Sequence, residues 1–149
     1  MSKFKFDALA LPVDTPARMP ICHPHTLKPL VDKDGQPAYL DLLSTDSEAC
    51  IAYDRKVAEE RASNPIRAKI GPADLSEAGC RRLAHLARGW YLVDFDGNPI
   101  LDPDTGKPIL FSEKNAYDLL SNHRMKWLQD QALIFLGDRA NFPLRSVNS

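Results

Sequence analysis

His23–Leu30 reads HPHTLKPL and Asp102–Ile109 reads DPDTGKPI, so both fit the frame [HD]-P-[HD]-T-x-K-P-[LI]. Each adjoins a second repeated frame, D-x-D-G-x-P, as DKDGQP at Asp32–Pro37 and DFDGNP at Asp94–Pro99. Two chemistries fit such stretches. His and Asp at alternating positions are metal-ligand residues, whereas Pro, Asp and Gly at these offsets are turn residues. Pro presets φ, Gly accepts a positive φ, and Asp hydrogen-bonds the backbone just ahead of it. The turn reading explains every residue type in both frames without an ion. Thr26-Leu27 stands where the second copy has Thr105-Gly106. Leucine resists the conformation that glycine accepts, so the two copies are expected to follow different backbone paths, as convergent turn chemistry rather than a duplicated domain.

The metal alternative is specific enough to weigh. His23 and His25 could supply two ligands, with Cys22, Asp32 and Asp34 nearby. A zinc site requires three or four ligands in tetrahedral array, and this set falls short of a recognisable spacing. Asp94, Asp96, Asp102 and Asp104 invite a calcium reading. An EF-hand loop requires D-x-[DN]-x-[DN]-G and a Glu at position twelve. Gly97 and Gly106 both come too early, and although Glu113 stands at position twelve from Asp102, Pro99, Pro103 and Pro108 oppose continuous wrapping. No metal and no cofactor is therefore expected.

Around these turns the pattern alternates between β and α. Phe4–Phe6 and Met19–Cys22 are strand-like, and Leu27–Val31 is expected to pair with Ala38–Leu42 across the Asp34-Gly35 tip. Thr45-Asp46-Ser47-Glu48 has the capping-box form, opening a helix over about 47–62 with Cys50, Ile51, Tyr53, Asp54 and Val57 as a moderately apolar stripe. Asn64-Pro65 ends it. Asp74 is the expected N-cap of a second helix that stops at Gly89. Trp90–Val93 and Ile109–Phe111 are expected strands flanking the second turn region, followed by helices over about 113–122 and 124–136. The predicted fold class is α+β. The expected division is a β-rich N-terminal region with one helix (1–62), a linker (63–73), and a helical region with an inserted hairpin (74–149), the two regions being able to pack as one domain.

Length and composition bound the function. A chain of 149 residues with 44% hydrophobic and 26% charged residues is one globular domain's worth. A net charge of −1 argues against broad electrostatic binding to nucleic acid or anionic membrane. No apolar run approaches the roughly 20 residues of a membrane span, and MSKFKFDALALPVD reads as mature protein rather than a signal. Cys22, Cys50 and Cys80 are widely spaced, which fits reduced thiols better than a disulfide framework. Among chemical groups, His85 is expected to pack beside Leu83 and Leu86, and Arg81, Arg82 and Arg88 to form a solvated face. No nucleophile elbow, phosphate loop or H-E-x-x-H motif is present, so no catalytic residue is assigned. The aromatic residues concentrate in the second half, where most are expected in the core and some on a partner surface.

The order of these features resembles the small tail assembly chaperones of tailed bacteriophages and prophages. The likeness covers HPHTLKPLVDKDGQPAYLDLLSTDSEA in the first half. In the second half it rests on Gly89, Trp90, Gly97, Phe111, Ser112, Asn115, Ala116, Leu128, Gln131, Asn141 and Phe142, with Asp102–Lys107 as an insertion. The resemblance implies a non-enzymatic assembly chaperone or adaptor in the host cytoplasm, partnered by the tape-measure and tail-tube proteins and able to form homo-oligomers. Two alternatives stand beside it: a structural tail or neck component of the virion, and a small metal-dependent enzyme using His23, His25 and the Asp-rich turns. Apolar strips on the second and last helices are the expected contact surfaces. Their candidate anchors are Leu75, Leu83, Leu86, Trp90, Met125, Trp127, Leu128 and Phe135.

Overall fold

A computed structural model describes residues 14–63 and 72–142. It is α+β, as expected. Three short strands, β1 (Ala17–Pro20), β2 (Tyr39–Leu42) and β3 (Ala87–Tyr91), form an antiparallel sheet with β2 at its centre. Met19 faces Leu40, and Leu40 faces Trp90. One face is apolar and buried: Ala17 and Met19, Leu40 and Leu42, Ala87 and Trp90. A register shift at Asp41/Leu42 sets Leu42 opposite Ala87 and Asp41 opposite Gly89. This bulge explains how Ala87 and Trp90, three positions apart, reach the same side. On the other face the Arg18 guanidinium pairs with Asp41 at 2.9 Å and lies 3.5 Å over the Tyr39 ring.

The helices are α1 (Glu48–Ser63), α2 (Pro72–Leu86), α3 (Glu113–Ser121) and α4 (Lys126–Gly137), with single 3-10 turns at His123–Met125 and Arg139–Asn141. Ser47, not Thr45, caps α1: its buried hydroxyl accepts the Cys50 amide at 3.2 Å. The expected apolar stripe of α1 is thinner than its sequence suggests, because only Cys50 is buried and Ile51 is exposed. Polar contacts join α1 to α2 instead, through the Arg82–Asp54 pair at 2.9 Å and stacking of Tyr53 on His85 at 4.7 Å. Helix α2 starts before Asp74 and ends at Leu86, so Gly89 lies in β3 rather than at a helix stop. Ser112 caps α3 by accepting the Asn115 amide at 3.0 Å. The predicted strand Phe4–Phe6, most of the 63–73 linker and the tail beyond Phe142 lie outside the described residues.

One hydrophobic cluster joins sheet and helices, with Leu40, Leu42, Leu86 and Leu128 fully buried. Each such leucine contributes roughly 2 kcal/mol of transfer free energy. Ala116 and Leu120 of α3 and Ala132 and Leu136 of α4 complete it.

The repeated frames build two compact turn units. Leu27–Val31 and Ala38–Leu42 pair only next to the Asp34-Gly35 turn, through Asp32 N to Gln36 O (2.9 Å), Ala38 N to Leu30 O (2.8 Å) and the bridge Val31–Pro37, and beyond it β2 pairs with β1 and β3. Ile109–Phe111 forms no strand. Instead, a bridge to the closing proline marks every frame: Cys22–Pro29, Val31–Pro37, Val93–Pro99 and Leu101–Pro108. In the first unit the chain returns to itself through Ile21 N to Ala38 O (3.1 Å), Leu30 N to Ile21 O (2.9 Å) and Ala38 N to Leu30 O (2.8 Å). In the second, Ile100 N donates to Leu92 O at 3.0 Å and Ile109 N to Ile100 O at 2.9 Å.

Contrary to the expectation of different paths, matching frames share one backbone path. In HPHTLKP, Leu27 N donates to His23 O at 2.9 Å, and in DPDTGKP Gly106 N donates to Asp102 O at 2.8 Å. Leu27 takes φ 61° and Gly106 φ 69°. Leucine therefore accepts the left-handed conformation, at a cost of roughly 1 kcal/mol, because the two hydrogen-bonded ends fix the loop between them. Since the Leu27 side chain is 73% exposed, little burial is at stake. Leu27→Gly is expected to stabilise the fold by about 1 kcal/mol and Gly106→Leu to destabilise it similarly, read by urea denaturation.

Candidate binding groove

The first residue of each turn is the functional atom of its loop. Asp32 Oδ1 accepts the amides of Asp34 (2.9 Å) and Gln36 (2.8 Å), and Asp94 Oδ1 accepts those of Asp96 and Asn98 (both 2.9 Å). Asp102 Oδ1 accepts the Asp104 amide at 2.8 Å. His23 plays the same part with Nδ1, which accepts the amides of His25 (3.0 Å) and Thr26 (3.3 Å). Of the ligand candidates of the metal reading, His23, Asp32, Asp94 and Asp102 are thus engaged by their own turns, and among the described residues no group of three His, Cys, Asp or Glu side chains is placed to hold an ion.

Two contacts lock these turns to the rest of the fold. Gln131 of α4 pairs with the Cys22 peptide in both directions, its Oε1 accepting the amide at 3.1 Å and its Nε2 donating to the carbonyl at 2.7 Å. The Tyr91 hydroxyl donates to Asp32 Oδ2 at 2.6 Å. That bond holds the Asp32 carboxyl below its ordinary range and pushes the Tyr91 phenol up to about 12. The two units also touch: Gly97 adopts φ +85°, and a Cβ there would lie 3.3 Å from the Val31 carbonyl oxygen.

Between the stacked turn units and the α3–α4 corner lies an apolar groove of about 350 Å³. Ile21 and Leu30 come from the first unit, and Leu92, Val93, Phe95 and Ile100 from the second. Leu119, Met125, Trp127 and Leu128 form the helical wall, and Asp94 and Arg124 are the charged lining residues. Phe95, at the tip of DFDGNP, sits between His23 (ring centroids 4.8 Å) and Trp127 (5.7 Å). It remains 57% exposed beside the apolar lining of the groove.

The predicted anchors divide accordingly. Met125 and Trp127 are half-buried in the groove wall and Leu128 is buried in its floor. Leu83, Leu86 and Trp90 belong to the core, where the Trp90 indole donates to Ile109 O at 3.0 Å, and so offer no surface on the folded chain. Phe135 packs edge-on against Phe142 at 5.5 Å. The side chain of Leu75 lies outside the described residues. Absent from the predicted anchors were Ile21, Leu30, Leu92, Phe95 and Ile100. For Ile21, Leu30, Leu92 and Ile100 the signal is an apolar residue set close before a turn or just after its closing proline, and for Phe95 an aromatic residue inside the turn itself.

Elsewhere, His85 Nδ1 lies 2.7 Å from Glu113, Arg81 pairs with Glu77, and Arg88 donates to the carbonyls of His85 and Ala87. Cys50 and Cys80 are buried free thiols whose pKa burial raises. No helix among the described residues is long and apolar enough to cross a membrane. Comparison with protein-family models, characterised proteins and solved structures returned no match to the chain.

The Tyr91–Asp32 bond has a definite pH signature. A phenol whose folded pKa lies above its unfolded value of about 10 stabilises the fold at lower pH. That contribution is lost as pH rises from the unfolded value through about 12. The lowered Asp32 carboxyl contributes above its unfolded pKa and loses that contribution as pH falls through its folded value. In an ultraviolet titration Tyr91 should be the last tyrosine to ionise, after Tyr53 and Tyr117, whose pKa burial also raises, and Asp32→Asn should return it toward the ordinary range. An unchanged titration in that variant would show that the bond does not form in solution.

Proposed function

We propose that the chain is a non-enzymatic assembly chaperone or adaptor of tailed-phage tail morphogenesis, binding other polypeptides through the apolar groove between its turn units and α4. The observation that carries the binding part is Phe95, held half in solvent between His23 and Trp127 over a cavity otherwise lined with aliphatic and aromatic side chains. A concave apolar surface with few polar groups is the usual form of a recognition site. The tail-assembly part rests on the resemblance of the motifs above, which makes the tape-measure protein and the tail-tube protein the clients to test. The site of action would be the host cytoplasm, with self-association as a further mode of contact.

Several residues of the resemblance have structural jobs that suit a fixed binding scaffold. Gln131 holds α4 to the first turn unit, Ser112 caps α3, and Asn141 donates to the Phe135 carbonyl at 2.9 Å. The apolar anchors are therefore presented by hydrogen-bonded supports rather than by free loops.

Co-expression with a neighbouring tape-measure candidate should yield a soluble complex. Phe95→Ala and Trp127→Ala should each weaken it by about tenfold or more, as loss of an aromatic anchor does. Phe95→Ala touches an exposed ring and should leave the melting temperature nearly unchanged. Failure of the wild-type chain to co-purify with any tail protein would count against the reading. Stable incorporation into finished particles would favour the structural tail component.

A further inference from the structure

We propose that the groove is selective for an acidic partner segment: a stretch of another polypeptide that places one or two bulky apolar side chains in the cavity and a carboxylate on Arg124. This deepens the binding reading above and rests on it. Arg124 lines the groove and is exposed, and its backbone amide is held by Asn122 Oδ1 at 3.0 Å, which fixes the residue in the single 3-10 turn. Arg18, Arg81, Arg82 and Arg139 each pair with a carboxylate, whereas among the described residues Arg55, Arg61, Arg88 and Arg124 form no ion pair, and of these four Arg124 is the one that lines the groove. The neighbouring cation Lys126 is held by Asp130 at 3.1 Å. The one acid of the lining, Asp94, has Oδ1 occupied by two amides of its own turn. A cation without a partner beside an apolar cavity favours a ligand that is apolar at one point and anionic at the next.

The shape favours a polypeptide over a lipid acid. At about 350 Å³ the cavity is near the lower end of ligand pockets, roughly 300–1,000 Å³. Its apolar lining is open to the surface, with Phe95 57% and Ile100 39% exposed. A long acyl chain needs a deep enclosed tunnel, whereas a peptide fills a shallow hollow with an anchor and covers the rim with its flanks.

The test uses the full chain and two fluorescently labelled peptides of about 15 residues. Both carry the same leucine and phenylalanine anchors, flanked by glutamates in one and by lysines in the other, with dodecanoate as a competitor. Anisotropy should show the glutamate peptide binding about tenfold tighter than the lysine peptide. Arg124→Ala should erase that preference and Arg124→Glu should reverse it, and both exchange an exposed side chain. Phe95→Ala should weaken both peptides. Equal binding of the two peptides that is still lost in Phe95→Ala would overturn the charge selectivity while leaving the groove reading intact. Binding of neither peptide, with or without self-association of the chain, would overturn both. Displacement by dodecanoate that ignores Arg124 would overturn the polypeptide assignment.

Discussion

A side-chain acceptor at the first position of a turn, closed by a proline bridge a few residues later, is the constraint on which this structure rests. Asp32, Asp94, Asp102 and His23 all accept amides of the loop they open. Each such bond lies at the exposed surface and is worth only about 1 kcal/mol net, but together they fix the conformation of these loops. The prolines need no partner, since they carry no N–H, and they stiffen the unfolded chain at the points where it must turn. A protein with strands of four or five residues thereby gains a second rigid body beside its sheet.

That rigidity is what turns loop residues into one wall of the groove. Apolar residues flanking the turns, such as Leu30 and Ile100, point toward the helical corner because the chain reverses on both sides of them. The stacked Gly97 and Val31, the Gln131–Cys22 pair and the Tyr91–Asp32 bond fix the two units to each other, to α4 and to β3. Phe95 can then stand partly in water without costing the fold its core. The remaining polar helix, α1, depends on Asp54, Tyr53 and Cys50 for its attachment and buries little apolar surface, so it belongs to the least stable part of the molecule.

Much of this was legible in the residues. Asx chemistry, the D-G tips, the Ser112 cap and the α+β class follow from local rules, and each appears where those rules place it. The strand pairing followed only beside the Asp34-Gly35 turn. Local alternation pairs Ala38–Leu42 with Leu27–Val31, but the buried faces of Met19, Leu40 and Trp90 select partners far apart in sequence, and tertiary burial outweighs a local turn signal. The shared path of the two HPHTLKP-like frames was concealed by Leu27, whose conformational preference is overridden by the flanking bridge. Helical periodicity did not point to the groove. An apolar stripe on Leu83 and Leu86 marks the core, while the groove draws half its lining from turns that carry no periodicity at all.

The central claim is that the proline-closed turn units are as firmly built as the sheet. Amide hydrogen exchange under native conditions measures this directly. The account predicts that the amides of Ile21, Leu30, Ala38, Ile100 and Ile109 exchange as slowly as those of β2, with the global unfolding free energy. Fast exchange at those amides while β2 stays protected would contradict it, because loosely held turns could not present Phe95 and the groove as one surface.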